Sequence, residues 1–223
     1  MGLGLPASRV DSGSNFLAQQ ALTADAMRAD FAIRAQRGVV GLLSALARQT
    51  DCRDTWDDAG RHRIVRRPLA DTALPVLVTL QDGDLLTESI GVARSPVRDL
   101  VNEVEAKWKV YSPTGQTSRA ETVVNAASQA NPRFGAQQQV LDLVLIADDA
   151  TAQLVATRKV DRQGKPRWVA SVNLPLFGLR FRQGDLVAIS SREFSFSVCE
   201  IVEVTLATGG FARVTLKLAV WNT

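Results

Sequence analysis

Within residues 101–110 apolar and charged side chains alternate from Glu103 onward. Val104, Ala106, Trp108 and Val110 fall on one side and Glu103, Glu105, Lys107 and Lys109 on the other. A period of two places successive side chains on opposite faces of an extended chain, so this segment predicts a strand with one buried and one wet face. Residues 38–49 follow another period: Val39, Leu42, Leu43, Leu46 and Ala47 share one face of a helix. A shorter helix is expected over residues 14–26, with Ser14 as its cap, and Ala29 to Arg34 alternates as a strand does.

Turn residues divide the rest. Asp57-Asp58-Ala59-Gly60 separates two β-prone arms, Cys52 to Trp56 and His62 to Arg66, and predicts a hairpin. Residues 76–80 form a short strand ended by Gln81-Asp82-Gly83-Asp84. Ser118 with Glu121 makes a capping box for a helix that Asn131-Pro132 closes. Residues 138–146 are a strand, almost wholly apolar from Val140 on, and Asp148 caps a helix running to about Val160, with Arg158 and Lys159 in its last turn. Strands follow over residues 168–174 and 186–189. A long closing hairpin pairs residues 194–206 with 211–221 around Thr208-Gly209-Gly210. The class is therefore α+β, predominantly antiparallel, with three or four short helices. A composition break at Ser95-Pro96 sets the expected organisation: an N-terminal arm over 1–26, whose first dozen residues are loose or ordered by a partner, a small α+β domain over 27–95 and a β-rich domain over 96–223.

Composition changes this picture little. Hydrophobic residues make up 46% of the 223, enough for a proper core, and the net charge of +3 comes from interspersed cations and acids. Cys52 and Cys199 lie far apart in strand segments without CxxC spacing, so they read as buried small hydrophobes in a reducing compartment. Residues 1–10 lack a charged region followed by an apolar run, and no apolar stretch reaches the ~18 residues needed to span a bilayer. The expectation is a chain made in the cytoplasm, with no membrane partner.

Candidate chemistry is sparse. His62 is the one histidine, and it sits among Arg61, Arg63, Arg66 and Arg67. Those cations hold its pKa low and offer it no carboxylate to orient it except from the facing arm, which favours a half-exposed strand histidine over a catalytic base. Asp57, Asp58, Asp82 and Asp84 have turn roles and Asp148 a cap role that account for them. Gly2-Leu3-Gly4 and Gly209-Gly210 lack the lysine and the strand–loop–helix setting of a phosphate loop. No cofactor or metal signature is present, and no catalytic, cofactor-binding or metal-ligating residue is assigned. The basic run 61–67 faces Asp51, Asp54, Asp57 and Asp58 on the opposing arm, so ion pairing across the hairpin is preferred to specific nucleic-acid binding. Trp56, Trp108, Trp168 and Trp221 all fall in strands and read as core or interface anchors.

From about Met27 onward the order of elements resembles the baseplate or tail-tip hub proteins of tailed bacteriophages. The likeness rests on Asp30-Phe31-Ala32-Ile33 followed by the 38–49 helix and the Trp56-Asp57-Asp58-Ala59-Gly60-Arg61 turn, and on Asp99-Leu100-Val101-Asn102-Glu103-Val104 entering a long strand. It continues through Leu174-Pro175-Leu176, Arg182-Gln183-Gly184-Asp185-Leu186-Val187 and the closing Phe196-Ser197-Val198-Cys199-Glu200-Ile201 arm. The resemblance implies tube-like barrel or sheet domains and a mechanical role in the virion tail, as a ring joining the tail tube to the distal tip or spike. It implies a homotrimer, with a hexamer as the alternative, and other tail proteins as partners: tube, distal tail and tip or spike. Hubs of this kind are usually longer, so a minimal hub and one part of a divided hub are both open.

A lumen that passes DNA should avoid binding it, which makes Glu103 and Glu105 candidates for its wall and the arginine cluster a candidate contact surface. Another tail ring, a carboxylate-based cell-wall hydrolase and a nucleic-acid module are the competing readings. A structural, non-enzymatic assembly protein is the expected answer.

Overall fold

The computed structural model describes residues 10, 12–29, 39–57, 59–67, 76–86, 90–110, 116–207 and 213–220. Most of the strand expected over 29–34 and the tips of the hairpins at 111–115 and 208–212 lie outside these residues.

The chain forms two compact units, each built from two separate stretches: 1–67 with 100–165, and 68–99 with 166–223. The contiguous division into 27–95 and 96–223 differs from this. The Ser95-Pro96 break lies close to one crossing between units, at 99/100, but each unit recruits its strands from both sides of it.

In the first unit, β5 (Glu103–Val110) is the central strand, with β6 (Thr117–Val124) antiparallel on one side and β7 (Gln138–Leu143) parallel on the other. The alternation along β5 is realised: Val104, Ala106 and Trp108 are buried. They meet α4 (Asp149–Gln163), which offers Ala152, Val155, Ala156 and Val160 at the spacing of one helical face. Leu143 and Ile146 complete that core. Asp148 caps α4 as expected, accepting from the Thr151 amide at 2.8 Å, and the Trp108 indole N–H donates to Asp149 Oδ1 at 2.7 Å. Asn102, fully buried, secures the entry to β5. Its amide donates to the Gly135 carbonyl at 2.7 Å and to Ser128 Oγ at 3.2 Å, and its Oδ1 accepts from the Gln137 N–H at 2.8 Å. The polar atoms of this side chain thus all find partners, which removes the cost of burying it.

The same unit holds α1 (Ser12–Ala24), which begins two residues before the expected cap Ser14, α2 (Val39–Gln49), and the hairpin of β1 (Cys52–Trp56) and β2 (His62–Arg66), whose bounds match the turn chemistry. Asp51, at φ 58°, stops α2 in the left-handed conformation that aspartate tolerates better than most side chains. The N-terminal region is tied down where it is described: Val10 bridges His62, and Asn15 Oδ1 accepts from the Ile64 N–H at 2.8 Å.

Two expectations fail here. Residues 117–124 form a strand, and between that strand and Asn131 the helix is reduced to the single turn α3 (Ala126–Gln129), capped by Asn125. The capping box is a signal of a few residues. Thr117, Thr122, Val123 and Val124 suit a strand, and the β5 ladder pairs with the whole eight-residue segment. The strand expected over 138–146 ends at Leu143 and lies at a sheet edge, leaving Val140 and Val144 exposed.

The second unit is one six-stranded sheet in the order β3-β9-β10-β11-β8-β4. These strands are β3 (Val78–Gln81), β4 (Gly91–Arg94), β8 (Trp168–Leu174), β9 (Leu186–Ser190), β10 (Ser195–Ala207) and β11 (Arg213–Val220). All neighbours are antiparallel except β3 and β9. The Gly91–Arg94 strand has no signature in the sequence pattern; it is recruited to the edge beside β8 by register. Val172, Leu216, Leu218, Ile201, Val187 and Leu80 line one face without exposure.

The sheet cannot be flat. Leu86, five residues past Gln81 at the β3 edge, donates its N–H to Asn173 in β8 at 3.0 Å. Through the ladders Gln81 aligns with Ser195 of β10 and Asn173 with Thr205. A flat sheet therefore sets Gln81 and Asn173 about 19 Å apart across the strands and about 33 Å along them. The intervening chain and the hydrogen bond together reach at most about 21 Å, and less with the 3₁₀ turn Asp82–Asp84 inside. The sheet therefore curls toward a tube wall, but no pairing closes it into a barrel among the described residues. A second 3₁₀ turn, Leu176–Arg180, lies on the β8–β11 pair through Gly178, where a Cβ would meet the Val214 Cβ at 2.9 Å.

Truncating Leu216 to Ala opens a cavity where no water reaches. The expected loss is about 2–5 kcal/mol, read as a lower midpoint in urea with an unchanged slope.

Candidate assembly surfaces

The one histidine is not placed for proton transfer to a substrate. His62 is fully buried, against the expectation of half exposure. It packs edge-on to Trp56 at 5.3 Å between ring centroids, and neither ring nitrogen has a hydrogen-bond partner among the described residues. Burial pushes its pKa below the ordinary value, and Asp54 opposes that shift. The neighbouring arginines are not the cause. Sequence reasoning missed this because the cover comes from distant pieces, Val10 and the hairpin partner Trp56.

Of the acids expected in turns and caps, Asp58 lies outside the described residues and the others are in place. Asp57 accepts from the Arg61 amide at 2.7 Å and pairs with its guanidinium at 2.7 Å. The Asp57 carboxyl is held low chiefly by that backbone hydrogen bond, and Asp148 chiefly by the Thr151 hydroxyl. Asp84 accepts from the Gln81 N–H at 2.9 Å. Cys52 and Cys199 are buried free thiols, with Cys199 pushed up by burial to about 12. Among the described residues no group of three His, Cys, Asp or Glu could hold a metal.

Within the hairpin Asp57 pairs with Arg61, and other members of the charged cluster reach out of it. Asp54 sits opposite Ile64 and takes the Ser44 hydroxyl. Arg66 reaches Asp25, beyond the end of α1, at 2.6 Å, and Arg158 of α4 shares that carboxylate at 3.0 Å. Asp51 is held by both terminal nitrogens of Arg162, a buried two-point pair. Arg158 and Arg162, on the last turns of α4, are thus buried clamps that tie α4 to the hairpin and to the end of α1. The basic run is in this part a packing device.

Besides charged and polar side chains, the exposed features include the rims of the sheets and scattered large apolar side chains. On the wet face of β5, Glu103 takes the Gln129 amide at 3.0 Å and Glu105 pairs with Lys107 at 3.4 Å. Val124 and Val140 share that face by register and are about half exposed. In the second unit Leu176 and Leu179 stand out at 51% and 50% exposure on the 3₁₀ turn, with Leu206 on β10 at 46%. Leu206 is the cross-strand partner of Val214, on which the turn rests, so these leucines gather at one end of the sheet. Trp108 is a core anchor as expected, Trp168 is partly buried under Arg94, and Trp56 remains 44% exposed; Trp221 lies outside the described residues.

No family model and no curated protein matches the sequence. Solved structures share its fold. A chain of the virion of a native gene transfer agent particle aligns over 80% of this protein and 38% of its own length, with a TM-score of 0.59 at 18% identity. A tail protein from Neisseria meningitidis aligns over 93% of this chain and 65% of its own, with a TM-score of 0.54 at 13% identity. A 43 kDa prophage MuSo2 tail protein from Shewanella oneidensis gives 85% and 56%, with a TM-score of 0.51 at 16% identity. This chain thus has the fold of part of a tail protein, and spans between about two fifths and two thirds of the proteins it matches.

Two outcomes test the packing described here. Asp51→Ala leaves Arg162 buried without its carboxylate and should cost about 3–5 kcal/mol in chemical unfolding. His62 titrates near 6.5 when unfolded but lower when folded, so below that pH the unfolded chain takes up a proton that the folded chain refuses. Stability should fall between pH 7 and 5 by up to about 1.4 kcal/mol per pH unit, and His62→Phe should flatten the dependence of the melting temperature over that range.

Proposed function

We propose that this chain is a structural protein of a phage-type tail, acting in the tail tip or baseplate as a hub that joins the tube to the distal tip or spike. The observation that carries this is the shared fold over 80–93% of the chain with proteins of tails and of a virion-like particle. Three features support a role in assembly over one in catalysis. The histidine is sealed away, the turn and cap acids already serve the fold, and the exposed features are sheet rims and apolar side chains of the kind that neighbouring subunits cover.

The trimer remains the proposed ring, with the hexamer its alternative. Tube, distal tail and tip proteins are the proposed partners and the virion tail the proposed location. The curl of the six-stranded sheet suits a segment of tube wall completed by adjoining chains. The wet face of β5, with Glu103 and Glu105, is proposed to face the lumen, where acids keep a passing genome from adhering.

The direct test is electron microscopy of tailed particles from the source organism, labelled with gold-conjugated antibody to this chain, together with class averages of the purified ring. Label at the distal end of the tube and a three-fold ring are the expected results. Label along the whole tube with a six-fold ring would move the chain to the tube itself. Absence from particles would overturn the reading.

A further inference from the structure

β6 is the longest edge in the first unit, and its exposure is unusual. From Ser118 to Thr122 every residue is exposed, on both faces of the strand, while its other side is laddered to β5 at every position except Ser118, and no strand lies beyond it among the described residues. It carries no proline, and its pairing with β5 shows no bulge; its side chains toward the α4 face include one cation and one acid, Arg119 and Glu121. An exposed, regular, eight-residue edge is a template for another strand, and its side chains decide which strand.

We propose that β6 pairs antiparallel with β6 of a second copy of this chain, about a two-fold axis at Ala120. That register sets Arg119 of each copy opposite Glu121 of the other, twice by symmetry, with Ser118 opposite Thr122 and Thr117 opposite Val123. Shifting the axis to residue 119 opposes two arginines, and shifting it to 121 opposes two glutamates. Charge therefore selects one register from its nearest same-face competitors. Glu121 Oε2 accepts from Gln153 at 2.7 Å, which holds the carboxylate in position and leaves its second oxygen for the partner arginine. The rival edge, β7, carries Asp142 as its one charge and offers no reciprocal pair.

The contact is isologous and closes on itself, whereas a ring joins unlike surfaces. The pairing thus belongs to the free chain, where it masks an adhesive edge before assembly, and it does not depend on the tail reading above.

Sedimentation equilibrium of the full chain, at concentrations up to about 0.5 mM to cover weak association, should show a monomer–dimer equilibrium. Arg119→Glu and Glu121→Arg should each raise the dimer dissociation constant at least about tenfold, and the double exchange should restore it, because opposite charges again face each other. Circular dichroism serves as the folding control for these exposed sites. Ala120→Cys should give a disulfide-linked dimer on mild oxidation, since residues opposed at the axis are within bridging range and the two native thiols are buried. A wild type that stays monomeric, together with an Ala120→Cys variant that forms no cross-link, overturns the proposal. So does a double exchange that fails to recover the dimer, or a trimer or hexamer that the single charge changes leave intact.

Discussion

A strand at the rim of a sheet has one side of its backbone without a ladder, and that constraint governs this molecule. Interior strands such as β5 and β11 are laddered to neighbours on both sides and turn one largely buried face to the core. Among the described residues, the outer strands β6, β7, β3 and β4 have a neighbour on one side only. Water can solvate them, but a regular edge without prolines invites another chain.

The interior is held by two kinds of interaction that divide the labour. Apolar faces supply most of the stabilisation: α4 over β5 in the first unit, and one lined face of the curled sheet in the second. Buried polar groups supply location. Asn102 fixes the loops around the start of β5, and the Arg162–Asp51 and Arg158–Asp25–Arg66 pairs fix the hairpin and α1 against α4. Such pairs add little net stability when complete and cost much when broken, so they specify an arrangement more than they stabilise it.

Where structure follows from neighbours in sequence, it was legible. The 52–66 hairpin, the Asp148 cap and the alternation of β5 all rest on a few adjacent residues, and each appears where the pattern puts it. Residues 117–124 misled because a local capping signal competed with a ladder that only β5 provides. The strand at 91–94 is invisible in isolation because its partner lies some eighty residues on. His62 misled for the same reason: its charged neighbours in sequence suggest water, whereas Val10 and Trp56 bury it. The assembly surfaces were the least legible feature, since an edge is defined by which strand is absent beside it.

A reconstruction of the native particle at a resolution that traces strands is the most direct test of this account. The expected map shows sheets running on from this chain into adjoining chains, with backbone pairing across the boundaries. A map in which all four rims face solvent, with contacts made through other surfaces, would contradict it.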